Sequence, residues 1–190
     1  MSSRVDDPSR RRRADARRNH ERLLAAARDA FAEHGPDASL DGIAQRAGLG
    51  SGTLYRHFPT REDLRRAVYW GEIEGLCAQG RELATSAAPG DALLTWLQLL
   101  ADMADRRGLA ATLYERFGAD PPSPFLQSAK EAMETTASTL LERAQQSGAI
   151  RPDVTVSEVL KLTHGVARTS DGPAETHRLL SLLTDGLTSA

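Results

Sequence analysis

The stretch SLDGIAQRAGLGSGTLYRHF, residues 39–58, decides the fold of this chain. Its first half predicts a short helix over residues 40–47, because Ser39 is a good N-cap and Gly48 can adopt the left-handed conformation that ends a helix. Its second half predicts another short helix over residues 51–57. Two short helices joined by a glycine-containing turn of about three residues are typical of a helix-turn-helix, whose second helix can enter the major groove of DNA.

The second helix of this motif is suited to close contact with DNA. It has little apolar bulk beyond Leu54 and the following Phe58, so most of its side chains are expected to face outward. Gly52 within it and Gly50 just before it each cost roughly 1 kcal/mol in helix propensity against alanine, a cost that a surface needing close backbone approach would justify. The outward residues are compact or able to form hydrogen bonds: Ser51, Gly52, Thr53, Tyr55, Arg56 and His57.

The rest of the chain also has helical periodicity. No stretch alternates apolar and polar residues over the length of a strand, so we predict an all-α protein of about nine helices. The helix-turn-helix lies in an N-terminal three-helix domain, and the remaining predicted helices form a C-terminal helical domain. The other predicted helices cover about residues 16–34, 61–85, 91–107, 109–117, 125–147, 156–168 and 174–187.

Charge is distributed unevenly along the chain. Residues 1–66 carry 14 Arg against 10 Asp and Glu, although the net charge of the whole chain is −2. A basic N-terminal third favours contact with a polyanion. We expect residues 1–15 to form a disordered basic arm, residues 16–66 the DNA-binding domain and residues 67–190 the second domain. The four arginines at 10–13 could enter a minor groove or form a solvated tail that adds only non-specific affinity.

Composition disfavours several classes of protein. The single Cys among 190 residues excludes a disulfide framework and a Cys-based zinc site. No apolar run approaches the roughly 18 residues of a spanning helix, and no secretory signal is evident. We find no metal-ligand spacing, phosphate-binding loop or nucleophile motif. The expectation is a cytoplasmic protein that is not an enzyme and that needs no cofactor or metal.

A longer segment around the motif resembles a known family. Residues 23–68, LLAAARDAFAEHGPDASLDGIAQRAGLGSGTLYRHFPTREDLRRAV, are similar to the DNA-binding domain of the TetR (tetracycline repressor) family of bacterial regulators, including the core G-T-L-Y-x-H-F. The remainder does not match by motif. Within it, GAIRPDVTVSEVLKLTHGVA at 148–167 and LLSLLTDGL at 179–187 resemble the last helices of several such regulators.

The resemblance implies a homodimer whose paired recognition helices read a palindromic operator. It implies phosphate contacts at Tyr55 and His57, and Arg61 stands where the family usually has a phosphate-binding Lys. Two departures weaken the pattern, because Gly50 replaces the usual Ser or Thr cap and Ser51 stands where Lys is common. The full set of predicted DNA contacts is Ser39, Ser51, Gly52, Thr53, Tyr55, Arg56, His57 and Arg61.

The second domain offers two further sets of candidate residues. Apolar side chains with a few polar anchors could line a ligand cavity, although each taken singly also fits plain core. These are Trp70, Trp96, Leu100, Met103, Phe117, Met133, Ala137, Thr163 and His164. Apolar stripes on the last two predicted helices favour a four-helix contact between two copies. The predicted interface residues are Val159, Val166, Leu179, Leu182, Leu183 and Gly186.

Three functions remain open from the sequence. The leading one is a transcriptional repressor that a small apolar or amphipathic effector releases from DNA. The second is a DNA-binding regulator without a small-molecule effector, controlled by its abundance or by a protein partner. An all-α enzyme using a C-terminal cavity is a more distant alternative, because no acid/base set is clustered in the sequence.

Overall fold

The computed structural model describes residues 8–105 and 124–188, and within these ranges the regular structure is entirely helical. The all-α prediction is confirmed, and the predicted helix at 109–117 lies outside the described residues. None of the described helices is both long enough and apolar enough to cross a membrane. The helices are α1 Pro8–His34, α2 Leu40–Arg46, α3 Ser51–His57, α4 Arg61–Ser86, α5 Pro89–Asp105, α6 Pro124–Gln146, α7 Val156–Thr169 and α8 Pro173–Gly186.

The chain divides into two compact units, Met1–Val68 and Tyr69–Ala190. The boundary predicted from the sequence lies close by, between residues 66 and 67. The division falls inside α4, so one continuous helix supplies residues to both units.

The N-terminal helix begins earlier than the sequence predicted. It starts at Pro8, so residues 8–15, which were expected to belong to a disordered arm, are helical. Proline is favourable in the first turn of a helix, and Arg and Ala have high helix propensity, so the segment needs no apolar face to extend a helix that is packed further along. An ion pair of 2.9 Å between Arg17 Nε and Glu21 Oε1 supports this exposed part of α1.

The first unit is held together by a small apolar core under the helix-turn-helix. α1 packs against α2, and α2 packs against α3. α1 buries an apolar face that includes Leu23, Ala27 and Phe31, and the single buried side chain of α3 is Leu54. The core side chains are Leu23, Ala27, Ala30, Phe31, Ile43, Ala44, Leu54, Phe58, Leu64 and Val68.

Both ends of α2 have the chemistry predicted from the sequence. The Ser39 hydroxyl accepts a hydrogen bond from the Gly42 N–H at 3.2 Å, which caps α2. Gly48 has a φ of +64°, the left-handed conformation that glycine adopts without steric cost. The N–H of Leu49 then bonds to the Ala44 carbonyl at 2.9 Å and closes the end of α2.

The second unit is organised around α5, which packs against α6, α7 and α8. Trp96 lies at the centre of this unit with 0 % of its surface exposed. Its indole N–H donates a hydrogen bond of 3.0 Å to the carbonyl of Leu76 in α4, so the one polar atom of this large side chain is satisfied. Further along α5, Ala101 packs with Ala167 of α7 and Leu180 of α8.

α4 lies close to α5 and α6 at Gly80. A Cβ atom at this position would lie 2.4 Å from Thr136 Cγ2 and 2.8 Å from Trp96 Nε1. Both neighbours are buried, and the Trp96 ring is fixed by its hydrogen bond. Only glycine therefore lets the three helices come together here.

Gly80→Ala should lower the free energy of unfolding by about 1–3 kcal/mol, because the added methyl group overpacks the junction of α4, α5 and α6. Gly75→Ala is the matched control: it lies in the same helix, and a Cβ there meets nothing within 4 Å. The control should raise stability by about 0.5–1 kcal/mol, the usual gain for alanine over glycine in a helix. Urea unfolding followed by circular dichroism measures both changes, and equal effects in the two variants would contradict this account of Gly80.

Candidate nucleic-acid interface

The recognition helix α3 presents a polar face to solvent. Its buried side is Leu54, whereas Tyr55 has 48 % of its surface exposed. Gly52 and Arg56 are also exposed, and the other three candidate contacts of this helix, Ser51, Thr53 and His57, are half-buried. A short helix that is anchored by one leucine, and whose other side chains are exposed or half-buried, has the form of the second helix of a helix-turn-helix.

The start of α3 is supported from outside the helix. Gly50 stands at the N-cap and supplies no side-chain hydrogen bond. Instead the Ser51 hydroxyl donates to Asp41 Oδ1 of α2 at 2.6 Å. This places a carboxylate beside the positive end of the α3 dipole, where negative charge is favourable. Sequence analysis missed Asp41, although the absence of a cap at Gly50 was a signal to look for a substitute.

Thr53 and Arg56 form a pair on the exposed side of α3. Arg56 Nη2 donates a hydrogen bond of 3.0 Å to the Thr53 hydroxyl oxygen. The two residues are one turn apart, so the helix itself fixes their spacing. A hydroxyl that accepts from an arginine keeps its own proton available for another acceptor.

A groove of about 460 Å³ separates the N-terminal half of α1 from α3. It is open to solvent and carries both signs of charge, with Arg12 and Asp15 on α1 and Arg56 on α3. One arginine of the 10–13 run therefore lies next to the recognition helix. The full lining is Arg12, Asp15, Ala16, Asn19, Thr53, Arg56 and His57.

His20 of α1 joins the end of α3 through ring contacts. Its ring centroid lies 4.9 Å from that of Phe58 and 5.7 Å from that of His57. Burial lowers the pKa of His20, and the neighbouring His57 lowers it further, while Glu21 acts in the opposite direction. The neutral form of His20 is thus the one that the folded protein favours.

Two arginines at the start of α4 hold the loop that precedes α2. Arg61, a predicted phosphate contact, is half-buried, and its Nη1 donates to the Ala38 carbonyl at 2.5 Å. Arg65 is 3 % exposed, and its guanidinium donates to the Pro36 carbonyl through Nε at 3.0 Å and to Asp37 Oδ1 through Nη2 at 3.1 Å. Arg61 therefore has an internal role that the sequence did not reveal.

The candidate ligand residues are divided between the core and the surface. Trp96, Met103, Ala137 and Thr163 are buried, and the Thr163 hydroxyl donates to the Val159 carbonyl within its own helix. Trp70, Leu100 and Met133 are half-buried, His164 is exposed, and Phe117 lies outside the described residues.

The candidate interface residues are similarly divided. Val159 is buried within the single chain, so its side chain packs inside the protomer. Val166, Leu179 and Leu183 are half-buried, and Gly186 is exposed. Leu182 on α8 has 55 % of its surface exposed and Leu162 on α7 has 46 %, and Leu162 was not among the predicted interface residues.

Family models match both units of the chain. A model described as "Bacterial regulatory proteins, tetR family" matches residues 23–68. A second, described as "Transcriptional regulator SbtR-like, C-terminal domain", matches residues 88–189. The first match coincides with the segment whose resemblance was identified in the sequence.

Similar proteins support the same grouping over most of the chain. The crystal structure of the TetR transcriptional regulator SCO0520 from Streptomyces coelicolor is 35 % identical, with a TM-score of 0.75, and the match covers 90 % of this chain and 99 % of that one. The transcriptional regulator UidR of Escherichia coli is 28 % identical, over 80 % of this chain and 81 % of its own. The transcriptional repressor KstR2 of Mycobacterium tuberculosis is 26 % identical, over 73 % and 72 %.

Acidification should destabilise the folded chain through His20. Its pKa is lower in the folded state than the ordinary value of about 6.5, so the unfolded chain takes up the proton first as the pH falls. The stabilising effect of neutral His20 is therefore present above about pH 6.5 and is lost below it. Thermal unfolding between pH 7.5 and 5.5 should show a smaller loss for His20→Gln than for the natural chain.

His34→Gln is the comparison variant for this measurement, because His34 lies exposed at the end of the same helix, beside Glu33 at 3.6 Å and without a contact to α3 among the ring contacts of the described residues. It should not reduce the loss of stability on acidification as His20→Gln does. If His20→Gln and His34→Gln lose stability in parallel with the natural chain, the contact of His20 with His57 and Phe58 does not set the pH dependence.

Proposed function

We propose that this chain, which belongs to the TetR family of bacterial DNA-binding transcriptional regulators, is a homodimeric repressor that a small apolar or amphipathic effector releases from a palindromic operator. The observation that carries the proposal is the polar, open face of α3, anchored underneath by Leu54. A relative named as a repressor, KstR2, supports repression as the direction of control.

The DNA contacts are assigned by chemistry and exposure. Tyr55 and His57 bind phosphate oxygens through their ring O–H and N–H groups, and Thr53 with its partner Arg56 reaches base edges. Arg12 extends the contact along the backbone, because the groove places it beside α3. Ser39 and Arg61 act mainly by supporting the motif: Ser39 caps α2, and Arg61 holds the loop before α2.

Two copies are needed because one recognition helix is short. α3 has 7 residues, and a single helix of that length reads only a few base pairs. Leu162 on α7 and Leu182 on α8 are the large apolar side chains of the second unit that are most exposed among the described residues. Pairing these helices with a second copy would remove that apolar surface from water and create a twofold axis.

The effector is proposed to bind in the second unit. Trp70, Leu100 and Met133 are apolar and half-buried, and the Trp70 ring centroid lies 6.2 Å from that of Phe125. Such side chains suit an apolar or amphipathic molecule. Trp96 and Thr163 support the site instead of lining it, because the polar atoms of both already have partners in the protein.

Release from DNA then follows from coupling between two sites. α4 contributes Arg61 to the first unit and Trp70 to the second. An effector that binds one arrangement of α4 more tightly than another by a few kcal/mol is sufficient to shift the population away from the DNA-binding state.

A footprint on DNA upstream of the gene tests the proposal directly. The dimer should protect a pseudo-palindrome whose half-site centres are about 34–36 Å apart, or a multiple of that distance. Tyr55→Phe should weaken binding to all sequences alike, since a phosphate contact carries no sequence information. Thr53→Val should change the preferred bases, and anisotropy titrations on operator and scrambled DNA separate the two effects.

Thr85→Val serves as the control for the threonine substitution. Thr85 is exposed on α4 in the second unit, and its hydroxyl bonds to its own helix at Glu82. This variant should bind like the natural chain. A clean monomer that binds no DNA would overturn the proposed function as a whole.

Effector binding should be visible at Trp70. A panel of fatty acids, acyl-CoA thioesters and steroids should contain a compound that releases DNA and changes tryptophan emission over the same concentration range. Trp70→Phe should abolish the emission change while leaving the buried Trp96 signal, since the chain has 2 tryptophans. Release of DNA with no change at Trp70 would place the effector elsewhere.

A further inference from the structure

At the start of the recognition helix, Ser51 can act only as a hydrogen-bond acceptor toward a ligand. A serine hydroxyl without an internal partner could also act as a donor. The Ser51 hydroxyl carries one proton, and that proton is committed to Asp41 Oδ1 at 2.6 Å. A carboxylate has no proton to return. Ser51 is therefore left with lone pairs only.

The pair formed by Ser51 and Asp41 also lies where DNA would meet α3. Asp41 is exposed and Ser51 is half-buried, so solvent or a ligand can reach the pair. Ser51 is the first residue of α3, and the N-terminal residues of a recognition helix are those that approach base edges in the major groove. A pair of acceptors with a negative charge is repelled by phosphate and must face a donor.

Base edges in the major groove differ in the donors that they offer. Cytosine presents its N4 amine, adenine presents its N6 amine beside the N7 acceptor, and guanine and thymine present acceptors. A pair that only accepts hydrogen bonds thus matches cytosine best and tolerates adenine. Opposite guanine or thymine, acceptors on the protein would face acceptors on the base, which is unfavourable.

We propose that Asp41 is a specificity-determining positioning residue, which fixes the polarity of Ser51 so that one position of each half-site is read as cytosine. The inference rests on the proposed function, because it requires that α3 enters the major groove. Asp41 acts through Ser51 and through its own charge, while Thr53 and Arg56 read other positions.

If Asp41 had a purely structural role, its substitution would be expected to change DNA binding in a different way. If the carboxylate only stabilised the start of α3, its loss would weaken binding to every sequence to the same extent. Base preference at one position, as opposed to overall affinity, is therefore the quantity that distinguishes the two roles.

The experiment is a selection from a randomised double-stranded DNA pool with the full chain and three variants. Asp41→Ala removes the acceptor and frees the Ser51 proton. Ser51→Ala removes the hydroxyl of a half-buried side chain at the first position of α3, where alanine has high helix propensity, so this variant still tests the inference if Asp41→Ala unfolds. Asp29→Ala is the control for charge, since Asp29 is exposed on α1 and its charge acts on Arg46 at the end of α2.

The natural chain should select cytosine at one position of each half-site. Asp41→Ala and Ser51→Ala should both relax the ratio of cytosine to guanine at that same position by about fivefold or more, the lower end of what a good base contact contributes. Asp29→Ala should leave the selected sequence unchanged.

Three results would overturn the inference. One is a selected sequence for Asp41→Ala that matches the natural one at every position while only affinity falls, which would leave the proposed function standing. Another is a change of base preference in Asp29→Ala, which would assign the effect to net charge. The third is a natural chain that selects no sequence, which would remove the proposed function together with this inference.

Discussion

The first unit depends on the hydrogen bonds that the buried guanidinium of Arg65 donates to the loop before α2. A charge removed from water is tolerated only when its donors are satisfied, and here the Pro36 carbonyl and Asp37 accept from it, with Glu62 at 3.7 Å. The loop that it holds leads directly into Ser39, the N-cap of α2. α4 thereby fixes where the helix-turn-helix begins, because its arginines hold the backbone of the loop that leads into α2.

The recognition helix is stabilised by its surroundings more than by its own sequence. It has 7 residues, a glycine N-cap without a side-chain bond and Gly52 in its first turn, and so short a helix is marginal in isolation. Leu54 anchors it to the core, Asp41 supports its start, and His20 packs against Phe58 at its end. Because these supports lie on α1 and α2, the outer face of α3 needs no large aliphatic side chain, and Tyr55 is its one large exposed side chain with apolar character.

The sequence predicted the structural features that depend on residues adjacent in the chain. It predicted fewer of those that depend on contacts between different helices. The cap at Ser39, the left-handed turn at Gly48 and the buried stripe of α1 all follow from local pattern. The bond between Ser51 and Asp41 joins two helices, and no periodicity predicts which side chains will meet across a turn. The early start of α1 was missed because the absence of an apolar face was interpreted as disorder, although helix propensity alone extends a helix that is already packed.

The same distinction explains why candidate residues of the second unit were divided between core and surface. An apolar stripe predicts that a helix buries one face, but it does not say whether the partner is another helix of the same chain or a second copy. Val159 and Leu182 both belong to apolar stripes, yet one is buried inside the protomer and the other is more than half exposed. Trp96 is a core residue because the structure satisfies both parts of its side chain. Its N–H donates to a backbone carbonyl of α4, and Gly80 provides the space that its ring needs. A tryptophan fixed in this way sets the spacing of α4 and α5 at this junction.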